Sequence, residues 1–220
     1  MPLIDSTYFE NSNIIANVSE PDPDYKTDKV LDLMILKGER DVLSFAFGIE
    51  MWEDFKTFIT DGIAPGTPQN YMEIIKGKIY EKQGKKCYWK GLVQEDTKES
   101  LLADYVYCLY NDDNNSTSTG IGEVAINSKI GYRASIVPKV TKVWNRFIRT
   151  IQAGVRDNPS GFTMEGKPYW IVNGGVDYYG INTRIGEVSL VQFLLDNKSD
   201  YPLYDDNYRR FGELKNEFGI

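Results

Sequence analysis

Between Val140 and Ile151 the apolar side chains return at the spacing of one helical face: Val140, Val143, Trp144, Phe147, Ile148 and Ile151. The recurrence at i, i+3, i+4 and i+7 is that of an amphipathic α-helix. Val137-Pro138 starts it and Gly154 ends it, since proline suits a first helical turn and glycine a helix stop. The other face carries Lys142, Arg146 and Arg149, either as a solvated face or as a contact to an acidic neighbour.

The same period recurs upstream. Asp22-Pro23 opens a helix with Val30, Leu31, Met34 and Ile35 on one side. Gly38 is expected to weaken or break it. Val42, Leu43, Ala46 and Phe47 continue an apolar face, and Gly48 reads as a C-terminal cap. Met51, Trp52, Phe55, Phe58 and Ile59 form a further stripe, so two or three antiparallel helices are predicted. A short helix is expected over 71–77. Asp96 and Glu99 read as a capping box for a helix running to about Tyr110, with Leu101, Leu102, Tyr105, Val106 and Leu109 sharing one face. Residues 188–196 return to a helical pattern.

Strand signals lie between these helices. Segments 79–80 and 87–89 flank Gln83-Gly84-Lys85 and predict a β-hairpin. Segments 162–164, 169–172 and 176–179, joined through turns, predict a small sheet or a projecting hairpin. The run 111–119 (NDDNNSTST) has no core-forming residue and is expected to be a mobile loop. Gly120-Ile121-Gly122 lacks the third glycine of a dinucleotide fingerprint and reads as a turn. The expected fold class is α+β: a mainly helical core of antiparallel helices with inserted β-hairpins and extended terminal arms. Its expected parts are an N-terminal arm (1–22), a helical core (23–154, with a hairpin near 79–93 and a loop at 111–122), a β-rich segment returning to a helix (155–200), and a C-terminal arm (201–220).

Composition narrows the chemistry. The chain has no histidine, which removes the commonest acid–base group and the Ser-His and Cys-His nucleophile pairs. Cys87 and Cys108 have no metal spacing and read as reduced thiols. The acidic pairs Glu53/Asp54, Asp112/Asp113 and Asp205/Asp206 leave a carboxylate-based glycan hydrolase as an alternative, although neighbours in sequence rarely face one site. Asp112 and Asp113 lack the EF-hand spacing of a calcium loop. No cofactor or metal is expected. Residues 85–90 (KKCYWK) interleave cations with aromatics, as in nucleic-acid binders, but the hairpin reading accounts for them. A net charge of −7 argues against passive binding to phosphates. The N-terminus shows no signal peptide, and no apolar run is long enough to span a membrane.

Several short motifs carry a resemblance. They are Tyr88-Trp89-Lys90-Gly91-Leu92, Ser100-Leu101-Leu102-Ala103, Tyr105-Val106-Tyr107, Thr119-Gly120-Ile121-Gly122-Glu123, Val143-Trp144-Asn145 and the terminal Asn216-Glu217-Phe218-Gly219-Ile220. Gly48, Glu50, Trp52 and Phe55 fit the same pattern. Over about residues 35–150 and the extreme C-terminus, the chain resembles virion proteins of tailed phages of Bacteroidetes, crAss-like phages included.

That resemblance implies a ring-forming head–tail connector or adaptor, a dodecamer beneath the portal, assembled in the host cytoplasm and located in the virion. The implied partners are copies of itself, the portal protein, other connector or tail proteins, and DNA passing through the lumen without specific binding. No catalytic residue comes with that role. On this reading Lys142, Arg146, Arg149, Tyr105, Tyr107, Phe218 and Ile220 are candidates for the subunit interface. Asp112, Asp113, Asn114 and Asn115 are candidates for a channel-lining loop. Other virion roles, a tail terminator or a packaged internal protein, are the alternatives.

Overall fold

The computed structural model describes residues 2–15, 27–59, 62–82, 84–114, 116–119, 122–125, 137–152, 186–207 and 211. Six α-helices and three two-stranded antiparallel sheets lie among them, giving the mainly helical α+β fold that periodicity indicates. The helices are α1 (Thr27–Phe47), α2 (Ile49–Lys56), α3 (Gln69–Lys76), α4 (Leu101–Asn114), α5 (Val137–Gln152) and α6 (Leu190–Asp196). The sheets pair β1 (Lys78–Lys82) with β2 (Lys85–Trp89), β3 (Val93–Gln94) with β4 (Glu99–Ser100), and β5 (Ser116–Thr119) with β6 (Gly122–Ala125). The strands expected within 155–181 lie outside the described residues.

α1 is the centre of the helical layer, with α2, α4 and the N-terminal segment packed on it; α5 packs on α4. Leu31, Ile35, Val42, Leu43, Ala46 and Phe47 of α1 are buried. Gly38 does not break this helix. It sits on the buried seam, where a Cβ would lie 2.7 Å from Val106 Cγ2 and 3.3 Å from Tyr105 Cδ1 of α4. Glycine costs about 1 kcal/mol in a helix interior, and here its lack of a side chain lets two helix backbones approach. Gly48 closes α1 as expected, donating its N–H to Ser44 O (3.1 Å), and leads into α2.

The hairpin at 78–89 follows the strand alternation. Register pairs Tyr80 with Cys87 and Ile79 with Tyr88. Cys87 and Trp89 are buried while Ile79 is 70% exposed. Trp89 is therefore a core residue rather than a stacking platform, and its indole Nε1–H donates to Ile74 O at 2.9 Å. The outer edge of β2 is also engaged: Tyr88 N–H donates to Gly186 O (2.8 Å) and Val188 N–H to Tyr88 O (2.9 Å). This bridge delivers the chain to Ser189, whose Oγ caps α6. The ends of α3 and β2 are locked by two glycines. Gly77 and Gly91 have φ of +95° and +96°, and a Cβ on either would meet the other segment's backbone at 2.5–2.6 Å. Only glycine accepts both the left-handed backbone and that approach.

Three expectations are corrected. First, residues 2–15 are not an extended arm. Asp5 caps a 3-10 turn at Ser6–Phe9, and Ile4, Tyr8, Phe9 and Ile15 are buried in the main core. The spacing of Ile4, Tyr8 and Phe9 is helical, so they fall on one side of a turn. Second, no Asp96–Glu99 capping box forms. Asp96 lies in the β3–β4 turn and Glu99 in β4. Ser100 caps α4 instead, its Oγ accepting from Leu102 N–H at 3.0 Å and donating to Leu92 O at 2.7 Å. Third, 111–122 is not a loop throughout. α4 continues to Asn114, helped by Asn111 Nδ2 donating to Tyr107 O at 2.7 Å, and Thr119 pairs with Gly122 in the β5–β6 ladder. Ladder hydrogen bonds satisfy a polar backbone without core side chains. In the C-terminal arm, 201–207 and Phe211 dock on their own body. Tyr201 and Tyr204 are buried, Asp205 N–H donates to Phe47 O (3.0 Å), and the Phe211 ring lies 4.2 Å from that of Phe45.

Candidate functional site

Asp104 stands on α4 between Leu101 and Cys108, on the buried face of the helix. A carboxylate there needs a partner, and α5 supplies it. Arg146 Nε donates to Asp104 Oδ2 at 2.8 Å, and its Nη2 donates to Asp104 Oδ1. The same Nη2 donates to Asn13 Oδ1 (2.9 Å), and Asn13 Nδ2 donates to Asp104 Oδ1 (2.7 Å). Three distant segments thus close one triad. Burial works against the Arg146 charge, but hydrogen bonding and attraction from Asp104 outweigh it and hold its pKa above the usual arginine value.

Asp104 and Arg146 of the triad line a cleft of about 300 Å³. Lys90, Glu99, Ser100 and Lys142 line it together with Asp104 and Arg146. Lys90 Nζ is 3.8 Å from Glu187 Oε1. The cleft is polar and offers hydrogen-bond donors on several sides.

Arg146 therefore meets its own Asp104, so the acid it was expected to find on a neighbouring subunit lies within the chain. Lys142 is exposed and Arg149 half-buried on the same helix. Tyr107, only 2% exposed, is a core residue and not a subunit surface. Tyr105 is half-buried against Trp144 and Phe147, with ring centroids at 5.9 and 5.3 Å. Asp112 and Asp113 are exposed on the last turn of α4, which also contains Asn114. Asn115, Phe218 and Ile220 lie outside the described residues.

The acidic pairs do not converge. Glu53 pairs with Lys56 at 3.0 Å, Asp54 accepts from Tyr71 Oη, and Asp206 pairs with Lys198. Among the described residues no group of three or more acidic or thiol side chains is placed to hold a metal ion. Nor is any helix among them long and apolar enough to cross a membrane. Both cysteines are free and buried. Burial pushes the Cys87 thiol up to about 11 and the Cys108 thiol up to about 12, so both stay protonated at neutral pH.

Two further buried acids escaped sequence reasoning. Asp196 accepts from Tyr80 Oη (2.7 Å) and Gln192 Nε2 (2.9 Å), tying β1 to α6, and burial raises its pKa. Glu39 of α1 is 6% exposed and accepts from Leu3 N–H at 2.7 Å. Burial raises its pKa from 4.5 to about 6, the Leu3 hydrogen bond opposing the rise. The folded state then holds the proton more tightly than the unfolded chain. Stability from this group is complete below about 4.5 and is lost as pH rises through about 6. The interval amounts to about 2 kcal/mol. Glu39→Gln should therefore gain on wild type between these pH values in urea unfolding. Parallel stability curves for the two proteins would refute this.

Comparison with protein-family models, with curated proteins and with solved structures finds no match to this chain.

Proposed function

We propose that the chain is a structural component of a tailed phage particle, closing into a ring between portal and tail and continuing the DNA channel. The motifs resembling phage virion proteins suggest the role. The observation that supports it here is an exposed apolar side of α1. Val30, Leu33 and Leu36 are 42%, 67% and 51% exposed, opposite the stripe formed by Leu31, Ile35 and Val42. Apolar side chains exposed in line on one helix face are suited to association.

Its occupant in this reading is a second copy of the chain. Exposed Lys37 flanks the line, Arg40 being paired with Asp41 at 2.8 Å, and the chain as a whole carries −7, so an acidic flank of another copy can meet Lys37. A patch meeting a different patch is a heterologous contact, and such contacts make rings when the rotation closes. Exposed Asp112 and Asp113 at the end of α4 would face a lumen without gripping phosphates.

Negative-stain images and native mass spectrometry of the purified protein test this. Closed rings are expected, and Leu33→Glu with Leu36→Glu should disperse them into monomers of unchanged helical content. A wild-type protein that stays monomeric and is absent from purified particles would overturn the reading.

A further inference from the structure

The guanidinium of Arg146 is held from one side only. Its Nε and Nη2 are committed to Asp104 and Asn13, while Nη1 has no partner among the described residues. Arg146 lines the 300 Å³ cleft, and so do the ammonium-bearing Lys90 and Lys142. The side chain keeps 31% of its surface accessible, against 8% for Asp104. The fork is thus fixed by its counter-ion and leaves an N–H-bearing edge, an arrangement suited to oxyanions because no ordering of the arginine is needed on binding.

The remaining lining fits the same chemistry. The Lys90–Glu187 contact at 3.8 Å is beyond hydrogen-bond range, so the Lys90 ammonium keeps donor capacity. Glu99 is exposed at the cleft and opposes a second negative charge there, which favours a compact anion over a long acidic one. The volume is at the small end of ligand sites. We propose that this cleft is a binding site for a small oxyanion, a phosphate or a carboxylate, received by Arg146 Nη1 with Lys90 and Lys142. The inference is independent of ring formation.

Inorganic phosphate and acetate are the probes, each titrated into the ¹⁵N-labelled full chain while the Arg146 side-chain Nε–H resonance is followed. A saturable shift with at least one probe is expected, and the probe that binds more tightly identifies the source of the oxyanion. Lys142→Gln is exposed and should fold normally. It should weaken binding about tenfold, the equivalent of one charge-assisted hydrogen bond. Lys90→Gln with Lys142→Gln should abolish the shift while leaving the circular dichroism spectrum intact. Absence of a saturable shift with both probes, or equal affinity in the folded double variant, would overturn the assignment.

Discussion

A chain lacking residues 2–15 is expected to lose its cooperative unfolding transition. Were this segment an arm clasping a neighbour, its removal would leave the body's stability untouched. It instead inserts Ile4, Tyr8, Phe9 and Ile15 into the core, each no more than 5% exposed. Burial of such side chains stabilises by about 1.5–3 kcal/mol each. For these four the total is roughly 6–12 kcal/mol, comparable with the whole stability of an ordinary domain. Polar ties go with them: the Leu3 N–H to Glu39, Asn13 to Asp104 and Arg146, and the Lys98 ammonium 5.0 Å from the Tyr8 ring centroid. Phe9→Ala alone should cost about 4 kcal/mol. Urea unfolding followed by near-ultraviolet circular dichroism decides the matter. A truncated chain with an unshifted midpoint would show that the segment is dispensable to the body.

The sequence exposes some of this architecture and conceals the rest for physical reasons. α5 was legible because its apolar face is broad and regular, and the 78–89 hairpin because glycine sits between two alternating runs. The N-terminal turn is not, because three apolar residues in six positions (Ile4, Tyr8 and Phe9) look scattered without the surface that covers them. Gly38 is ambiguous for a similar reason: a helix-interior glycine reads as a break until a second helix stands against it. The triad had one legible sign, the aspartate at 104 inside an apolar helical face. Its partners stand 91 residues before it and 42 after it in the chain, and no local pattern links such positions.

Asp104→Ala is the single substitution expected to be most costly at the candidate site, at about 3–5 kcal/mol. The cost arises mainly from what remains. Arg146 stays charged and largely enclosed, with its Nε and one Nη2 bond unmet, and Asn13 Nδ2 loses its acceptor. The buried attraction alone predicts a different outcome for the pair. Removing both charges relieves the desolvation of both, so Asp104→Leu with Arg146→Met should recover part of the loss, the remainder being the buried Asn13 amide left without either partner. The coupling between the two positions should be about 2–3 kcal/mol in a double-mutant cycle measured by urea unfolding. If the two single losses simply add, the ion pair is not the interaction that joins α4 to α5. If they couple as expected, one guanidinium both fastens two helices and presents its free edge to the cleft, which explains an expensive buried charge where a leucine would pack at lower cost.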